Sequence, residues 1–330
     1  MNLALLRRRA GTLAPALACA AVVAAAPLAA ADERPPLRVI VPNSAGSGVD
    51  TIVRAAAPSL GKALGGQAVV IENLPGAGGV TGTVSLVKAA PDGNTIAMVS
   101  NNHVVNPSVF RKMPFDAIAD ITPVVVIGAT PFVLVVNPKL VPAKNAKELQ
   151  AFLKAKPGAY NYASSGNGTI IHLAGAMFVD AAGVDVKHIP YKGVGPMVSD
   201  LIGGQVEMGV VAVPAVQGHL KSGALRAIGV MGLQRVASLP DVPTLAEQGF
   251  PDVDIAGWFS IIAPAKLPPG DVKRLHAAVL AAFAMPETAE AMARQENVIA
   301  PLSTEASAAF FRTELDRYAR LVKKANVAVE

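Results

Sequence analysis

Residues 161–175, NYASSGNGTIIHLAG, hold the densest group of ligand-competent side chains in the chain. Tyr160 and Tyr162 lead into Ser164, Ser165, Gly166, Asn167, Gly168 and Thr169, after which apolar residues recur at helical spacing. Such a turn delivers the chain into a helix whose first amides lack intrahelical partners, with hydroxyls beside them. The positive end of the helix dipole adds to those donors, so the chemistry on offer is the binding of a small anion. No Lys or Arg stands in the turn, and no nucleophile–base pair is visible in it. The turn reads as a cradle, not a reaction centre.

Two further turns share this character. VPNSAGSGVD (41–50) offers Asn43, Ser44, Ala45, Gly46, Ser47 and Gly48, and ENLPGAGG (72–79) offers Ala77 and Gly78. Each alone also fits an ordinary Gly/Ser connector. Three of them, divided between the two halves of the chain, point to one shared anion cleft. Asp50 is placed to orient the first turn and cap amides. Lys192, in PYKG, is within reach of an anion or is a solvated turn lysine. Trp258, the only tryptophan, belongs either beside the cleft or in the core.

Several familiar chemistries are absent. Gly76-Ala77-Gly78 begins a dinucleotide fingerprint, but Thr81 stands where the third glycine belongs. No Gly-Lys-Ser/Thr ending makes a phosphate loop, and Ser44, Ser47 and Ser165 lack the flanking glycines of a serine-hydrolase elbow. The five histidines show no metal-ligand spacing; His172, just inside a helix, reads as a core or cap-supporting residue. Neither a metal nor a cofactor is expected.

The elements that position these turns alternate. Strands are expected at 37–41, 68–73 and 95–99, with helices through Leu64 and over Val80 to Ala89. Strands apolar throughout read as parallel and covered on both faces. Residues 122–137 are too long and β-branched for one strand; Gly128 and Pro131 interrupt them, so a strand pair crossing between lobes with a hinge near 128–131 is expected. A second set follows, with helices near 145–155, 169–181, 195–202 and 215–222 and strands near 159–163, 186–190, 206–213 and 225–231. WFSIIAP (258–264) serves as the return crossing. The tail is helical over 271–283, 286–296 and 304–325, with Asp271 and Ser303-Thr304 placed to cap. The expected division is 32–126 with 255–330 as one lobe and 127–254 as the other, with a cleft between them.

With 330 residues, 52% of them hydrophobic and 16% charged, the chain is globular and long enough for two lobes. Arg7-Arg8-Arg9, the apolar run Leu13 to Leu28 and Ala29-Ala30-Ala31 form a secretory signal over 1–31, cleaved near Ala31. A periplasmic location follows. The net charge of +5 falls to about +2 once those three arginines leave, which is no nucleic-acid footprint. The one cysteine, Cys19, lies inside the signal, so the mature chain has no thiol for disulfides, thiolate metal sites or catalysis. Lipidation at Cys19 is disfavoured, because Ala16 stands where a large aliphatic residue is usual.

The ordered motifs resemble one family over essentially the whole mature chain. Pro-x-x-Ala-Gly-x-Gly-x-Asp (42–50), ENLPGAGG, APDG (90–93), the NP and MPFD segment (106–116) and NYASSGNGT with IHLAG come first. HIPYKG, LIGGQVE, LPDVPTLAEQG (239–249) and WFSIIAP complete the series. The chain thereby resembles the periplasmic solute-binding proteins of tripartite tricarboxylate transporters, the Bug (Bordetella uptake gene) group. The resemblance implies an α/β type II periplasmic-binding-protein fold of two lobes joined by two crossing strands. It also implies a monomer that closes on a small carboxylate and delivers it to membrane transporter subunits. The family's carboxylate pincer maps onto Ala45, Gly46, Ser47 and Gly48 and onto Ser164, Ser165, Gly166 and Thr169. Three departures bear on the ligand: Asn43-Ser44 in place of a frequent Phe-Pro, Val49 in place of a common threonine, and Val211-Ala212 in place of an Asp-Asn-like pair. The missing acid would partner a ligand ammonium, so Asn43 and Val211 point to a ligand without a free amine: a di- or hydroxycarboxylate, or an aromatic acid. Two other classes compete. A sensor module feeding a two-component receptor would use the same closed surface, and an exported hydrolase would need a base for a cleft serine, for which His103 is the only candidate.

Overall fold

The computed structural model describes residues 34–324; the expected signal segment and Cys19 lie outside the described residues. Short apolar strands alternate with helices from the start: β1 (Leu37–Val41), α1 (Gly48–Ala63), β2 (Val69–Asn73), α2 (Val80–Val87), β3 (Thr95–Ser100), α3 (Asn102–Val109) and β4 (Ile121–Thr130). The second set is β5 (Phe132–Val136), α4 (Ala146–Lys154), β6 (Tyr160–Ser164), α5 (Ile170–Ala182), β7 (Val186–Pro190), α6 (Val194–Gly203), β8 (Met208–Ala212), α7 (Val213–Lys221) and β9 (Arg226–Val230). Then β10 (Gly257–Pro264), α8 (Pro269–Ala284), α9 (Pro286–Arg294), β11 (Val298–Ile299) and α10 (Thr304–Lys324) close the chain.

Two sheets result, ordered β11-β4-β10-β3-β1-β2 and β7-β6-β8-β5-β9. In the first, β1 runs parallel to β2 and β3, as the unbroken apolar strands imply. β10 breaks the all-parallel pattern: it is antiparallel to both β3 and β4, so β4 runs in the same direction as β1, β2 and β3. The second sheet repeats the device, with β6 parallel to β7 and β8 and β5 antiparallel to β8 and β9. The antiparallel strands mark the points at which the chain passes from one sheet to the other. β10, buried along its full length, is where the chain rejoins the first sheet.

The first of these passages is sharper than the sequence implies. Gly128 lies within β4, paired with Phe259 on one side and Ile299 on the other. A Cβ there would collide with the Val298 backbone, so this glycine permits close strand approach and is no break. The interruption is Pro131, which separates β4 from β5 and has no amide to carry either ladder across. Two elements were not legible in the sequence. α3 contains Pro107 and exposes no clear apolar stripe, being almost wholly buried with Asn102, His103 and Asn106 inward. β11 has only two residues.

Helix starts follow local chemistry. Ser47 caps α1, accepting from the Asp50 amide at 3.3 Å. Ser303 does the same for α10, accepting from the Ala306 amide at 3.2 Å. Asp271 is not a cap; it lies in the first turn of α8, ion-paired with Arg274 at 3.3 Å. Trp258 belongs to the core. It is buried, its ring meets Phe310 and Phe311 edge-on, and its Nε1 donates to Glu314 at 2.9 Å.

The start of β10 is secured by Asn101, which is fully buried. Its Nδ2 donates to the Ala256 carbonyl at 3.1 Å and to the Tyr318 hydroxyl, and its Oδ1 accepts from the Trp258 amide at 2.8 Å. Asn101→Ala strands two backbone groups and a phenol inside the core. It is expected to lower the unfolding free energy in urea by about 2–4 kcal/mol; a loss below about 1 kcal/mol would contradict this role.

Candidate ligand-binding site

The turns singled out by sequence meet around connected cavities. The outer one, about 630 Å³, is lined by the β1–α1 turn, the Pro75–Gly79 turn, Asn102 and Phe110 on one side. Ser165, Gly166, Asn167, Thr169 and the Pro190–Val194 segment line the other. The inner one, about 70 Å³, is lined by Asn43, Ser47, Gly48, Val49, Ser165, Ile170, Ile171, Val194, Ala212 and Ala215, among others. Gly48 and Val49 open α1, Ile170 and Ile171 open α5, Val194 opens α6, and Ala212 and Ala215 flank the start of α7. Four helix N-termini therefore converge on one small space. Their dipoles add there, and first-turn amides have no partner within their own helices. Lys192, exposed at the rim, is the one fully charged side chain among the lining residues.

Each jaw is braced before any ligand arrives. In the first, Asp50 accepts from the Gly46 amide at 2.9 Å, from Arg54 at 3.0 Å and from Asn73 at 2.9 Å. Burial alone would raise its pKa, but these bonds outweigh burial and hold the carboxyl below its usual range. In the second, many of the amides that the sequence offers as anion donors are already committed. The Gly166 amide donates to Ser164 Oγ at 3.2 Å, Gly168 to His172 Nδ1 at 3.1 Å, His172 to the Thr169 cap at 3.2 Å and Ile170 to Asn102 Oδ1 at 2.7 Å. The turn is thus held mainly by its own side chains and by α3. An anion in the inner cavity would meet the first-turn amides that these bonds leave uncommitted.

Most of the expected residues line these cavities: Asn43, Ser44, Ser47, Gly48, Ala77, Gly78, Ser165, Gly166, Asn167, Thr169 and Lys192. Four do not. Ala45 and Gly46 are exposed on the outside of their turn. Ser164 is fully buried and braces the turn from behind. Val211 is also fully buried, paired with Val133 inside the sheet, and one residue further along the strand Ala212 reaches the cavity wall. The alternation of strand side chains turns Val211 away from the site. Sequence reading missed Asn102 and Phe110, because α3 itself was not legible.

Behind the second jaw lies a Ser–His contact that residue spacing did not reveal. Ser164 Oγ is 2.6 Å from His188 Nε2, and His188 stacks on His172 at 3.7 Å between ring centres, with Tyr162 at 4.9 Å from His188. Ser164 lines none of the cavities, so this pair supports the turn and does not face a ligand. His103, the candidate base, is buried on α3 with Nε2 at 2.7 Å from the Ala117 carbonyl. Burial pushes His172 and His103 down to about 4, and burial together with the neighbouring His172 pushes His188 to about 3.

Two parallel-cored α/β layers, with helix N-termini gathered on a cavity between connecting turns, define a solute-binding protein of the periplasmic type. The comparisons agree. Residues 52–327 match the family described as "Tripartite tricarboxylate transporter family receptor". BugT of Bordetella pertussis is 35% identical over 291 residues, spanning 88% of this chain and 89% of its own. The periplasmic binding protein BugD superposes with a TM-score of 0.85 at 31% identity, covering 90% of this chain and 99% of its own. R. palustris Rpa4515, solved with adipate, superposes with a TM-score of 0.86 at 27% identity, over 90% and 99% of the two chains. This chain belongs to the tripartite tricarboxylate transporter receptor family.

The buried histidines predict an acid-sensitive fold. His103 and His172 titrate lower folded than unfolded, so between about pH 6.5 and 4 the unfolded chain binds more protons and stability rises with pH. The contribution is fully present above pH 6.5 and is lost on acidification, at up to about 1.4 kcal/mol per pH unit for each histidine. Urea unfolding at pH 7, 6 and 5 should show this slope, and His172→Gln should reduce it; a flat profile over that range would refute the assignment.

Proposed function

We propose that this protein is an extracytoplasmic receptor that captures a small carboxylate between two lobes, 32–126 with 255–330 and 127–254. It then delivers the carboxylate to a tripartite tricarboxylate-type membrane transporter. The observation that carries the reading is the convergence of four helix N-termini on a cavity of about 70 Å³, a size suited to one carboxylate group, with Ser47, Thr130 and Ser165 among its lining residues. Charge-assisted bonds from amides and hydroxyls contribute about 1.5–3 kcal/mol each. A few of them, less the costs of association, suffice for about micromolar affinity. The outer cavity takes the rest of the solute, and Phe110, Pro75, Pro190 and Tyr191 give it apolar surface.

No Asp or Glu is among the residues lining either cavity. A ligand ammonium would find no counter-charge there, which supports a di- or hydroxycarboxylate or an aromatic acid over an amino acid. Rpa4515 with adipate is consistent with this class. The absence of a fixed cation from the inner cavity also suits a receptor that must release its cargo, since dipoles attract a carboxylate more weakly than a buried guanidinium would. Secretion by the 1–31 signal places the protein where such a receptor works.

Closure is supported by how closely the jaws approach. A Cβ on Gly193, whose φ is +111°, would lie 2.7 Å from Ser44 Oγ across the outer cavity. Gly193→Ala should therefore strain its turn and hold the jaws apart, weakening solute binding by about tenfold or more while leaving the circular dichroism unchanged. A thermal-shift screen of mature protein against succinate, adipate, malate, benzoate and aspartate tests the ligand class. A specific solute at 100 times its Kd stabilises by about 2.7 kcal/mol. If aspartate stabilised the protein and the plain carboxylates did not, the proposed ligand class would be wrong. X-ray scattering with the best solute should show a smaller radius of gyration; an unchanged radius would rule out closure.

A further inference from the structure

Behind the cleft, against α3, lies a third cavity of about 10 Å³, room for one water-sized group, lined by Asn43, Ser100, Asn102, His103 and Asn106 among others. Asn43 and Asn102 also line the outer and inner cavities, so this space adjoins both. Asn106 is 1% exposed, and its Nδ2 donates to the Gly78 carbonyl at 3.2 Å. A carbonyl only accepts, which fixes the amide's orientation and leaves Oδ1 as an acceptor; no group among the described residues donates to it.

His103 reaches the same condition independently. At 3% exposure, its Nε2 faces the Ala117 carbonyl, so the ring proton resides on Nε2 and Nδ1 is an acceptor. Nδ1 likewise meets no donor among the described residues. Burial keeps the ring neutral, with a pKa near 4. His103 and Asn106 are three residues apart on α3 and share one face. Buried acceptors are ordinarily satisfied, and two on one small cavity call for a donor. No acidic residue lines the space to balance a cation, so the donor is uncharged, and the volume admits one heavy atom.

We propose that this cavity is a subsite for a single neutral O–H donor at the polar end of the carboxylate solute. The proposal rests on the carboxylate reading above. The O–H comes either from the solute or from a water on which the solute's polar end rests.

Calorimetry of the mature protein with succinate and each malate enantiomer, which differ from succinate by one hydroxyl, separates these sources. It is paired with crystal structures of the complexes. A malate hydroxyl in the subsite gives wild-type protein at least about tenfold tighter binding of one malate than of succinate, and Asn106→Leu collapses the ratio of the two affinities to about one. Equal affinities, with an ordered water within hydrogen-bond distance of His103 Nδ1 and Asn106 Oδ1, assign the donor to solvent. Equal affinities with no ordered oxygen there overturn the proposal.

If neither solute binds, the thermal-shift screen over the other carboxylates decides whether the carboxylate reading has failed, and the crystal structure of the protein alone decides whether the subsite holds a donor. Should Asn106→Leu not fold, ¹⁵N NMR of the wild-type His103 ring supplies the same test. A hydrogen-bonded Nδ1 resonance that changes between malate and succinate supports the solute hydroxyl, one unchanged between them supports water, and a free-acceptor signal in both overturns the subsite.

Discussion

The hydrogen bond from the Ile170 amide to Asn102 Oδ1, 2.7 Å long and buried, joins the first amide of α5 to the first residue of α3. It therefore ties a helix of the second sheet to a helix of the first, at a point lining all three cavities. An orphan donor at a helix N-terminus is costly to bury unmet. By meeting it from the opposite layer, the fold couples the jaw's own helix to the other half of the molecule. The neighbouring contacts depend on that approach: a Cβ on Gly168 would clash with Val109, and one on Gly48 would touch Ala212.

The two jaws are rigid for different reasons. The first is held by Asp50, whose buried carboxylate collects Gly46, Arg54 and Asn73 and so shapes the turn before α1. The second relies on neutral groups: Ser164, the Thr169 cap and the His172–His188 stack. Keeping formal charge out of the inner cavity's lining, with Lys192 confined to the outer one, leaves helix dipoles as the main field there. A pre-shaped site of dipoles and hydroxyls binds an anion without large reorganisation, and does so without a fixed cation that would hold it.

The strand arrangement explains how two such jaws come to face each other. In each sheet one antiparallel strand, β10 or β5, sits beside the third parallel strand, and both adjoin passages between the sheets. Pro131 separates β4 from β5 without a loop, whereas β10 is anchored at its start by Asn101 and Trp258. The parallel strands end at the cavities, which is where open α/β sheets place their ligands.

Much of this was legible from residue order. The strand–helix alternation, the Ser303 cap, the role of Asp50 and most cavity-lining turns follow from apolar periodicity and from Ser, Asp and Gly chemistry, which are local. What the sequence alone could not determine is long-range. The amides of 166–170 look available in sequence, but Ser164, His172 and Asn102 occupy several of them, and Asn102 is 68 residues from its partner. Val211 was placed at the site by the family resemblance, as the position of a missing acid, yet pleat direction puts Ala212 at the cavity wall instead. α3 was invisible because Asn102, His103 and Asn106 are buried alongside Val104, Val105 and Val109, so polar and apolar residues do not separate onto two faces and no helical period shows. Only tertiary packing could bury Asn102, His103 and Asn106 together and leave two acceptors of that trio unmet, because satisfaction of a polar group depends on neighbours that residue order does not name.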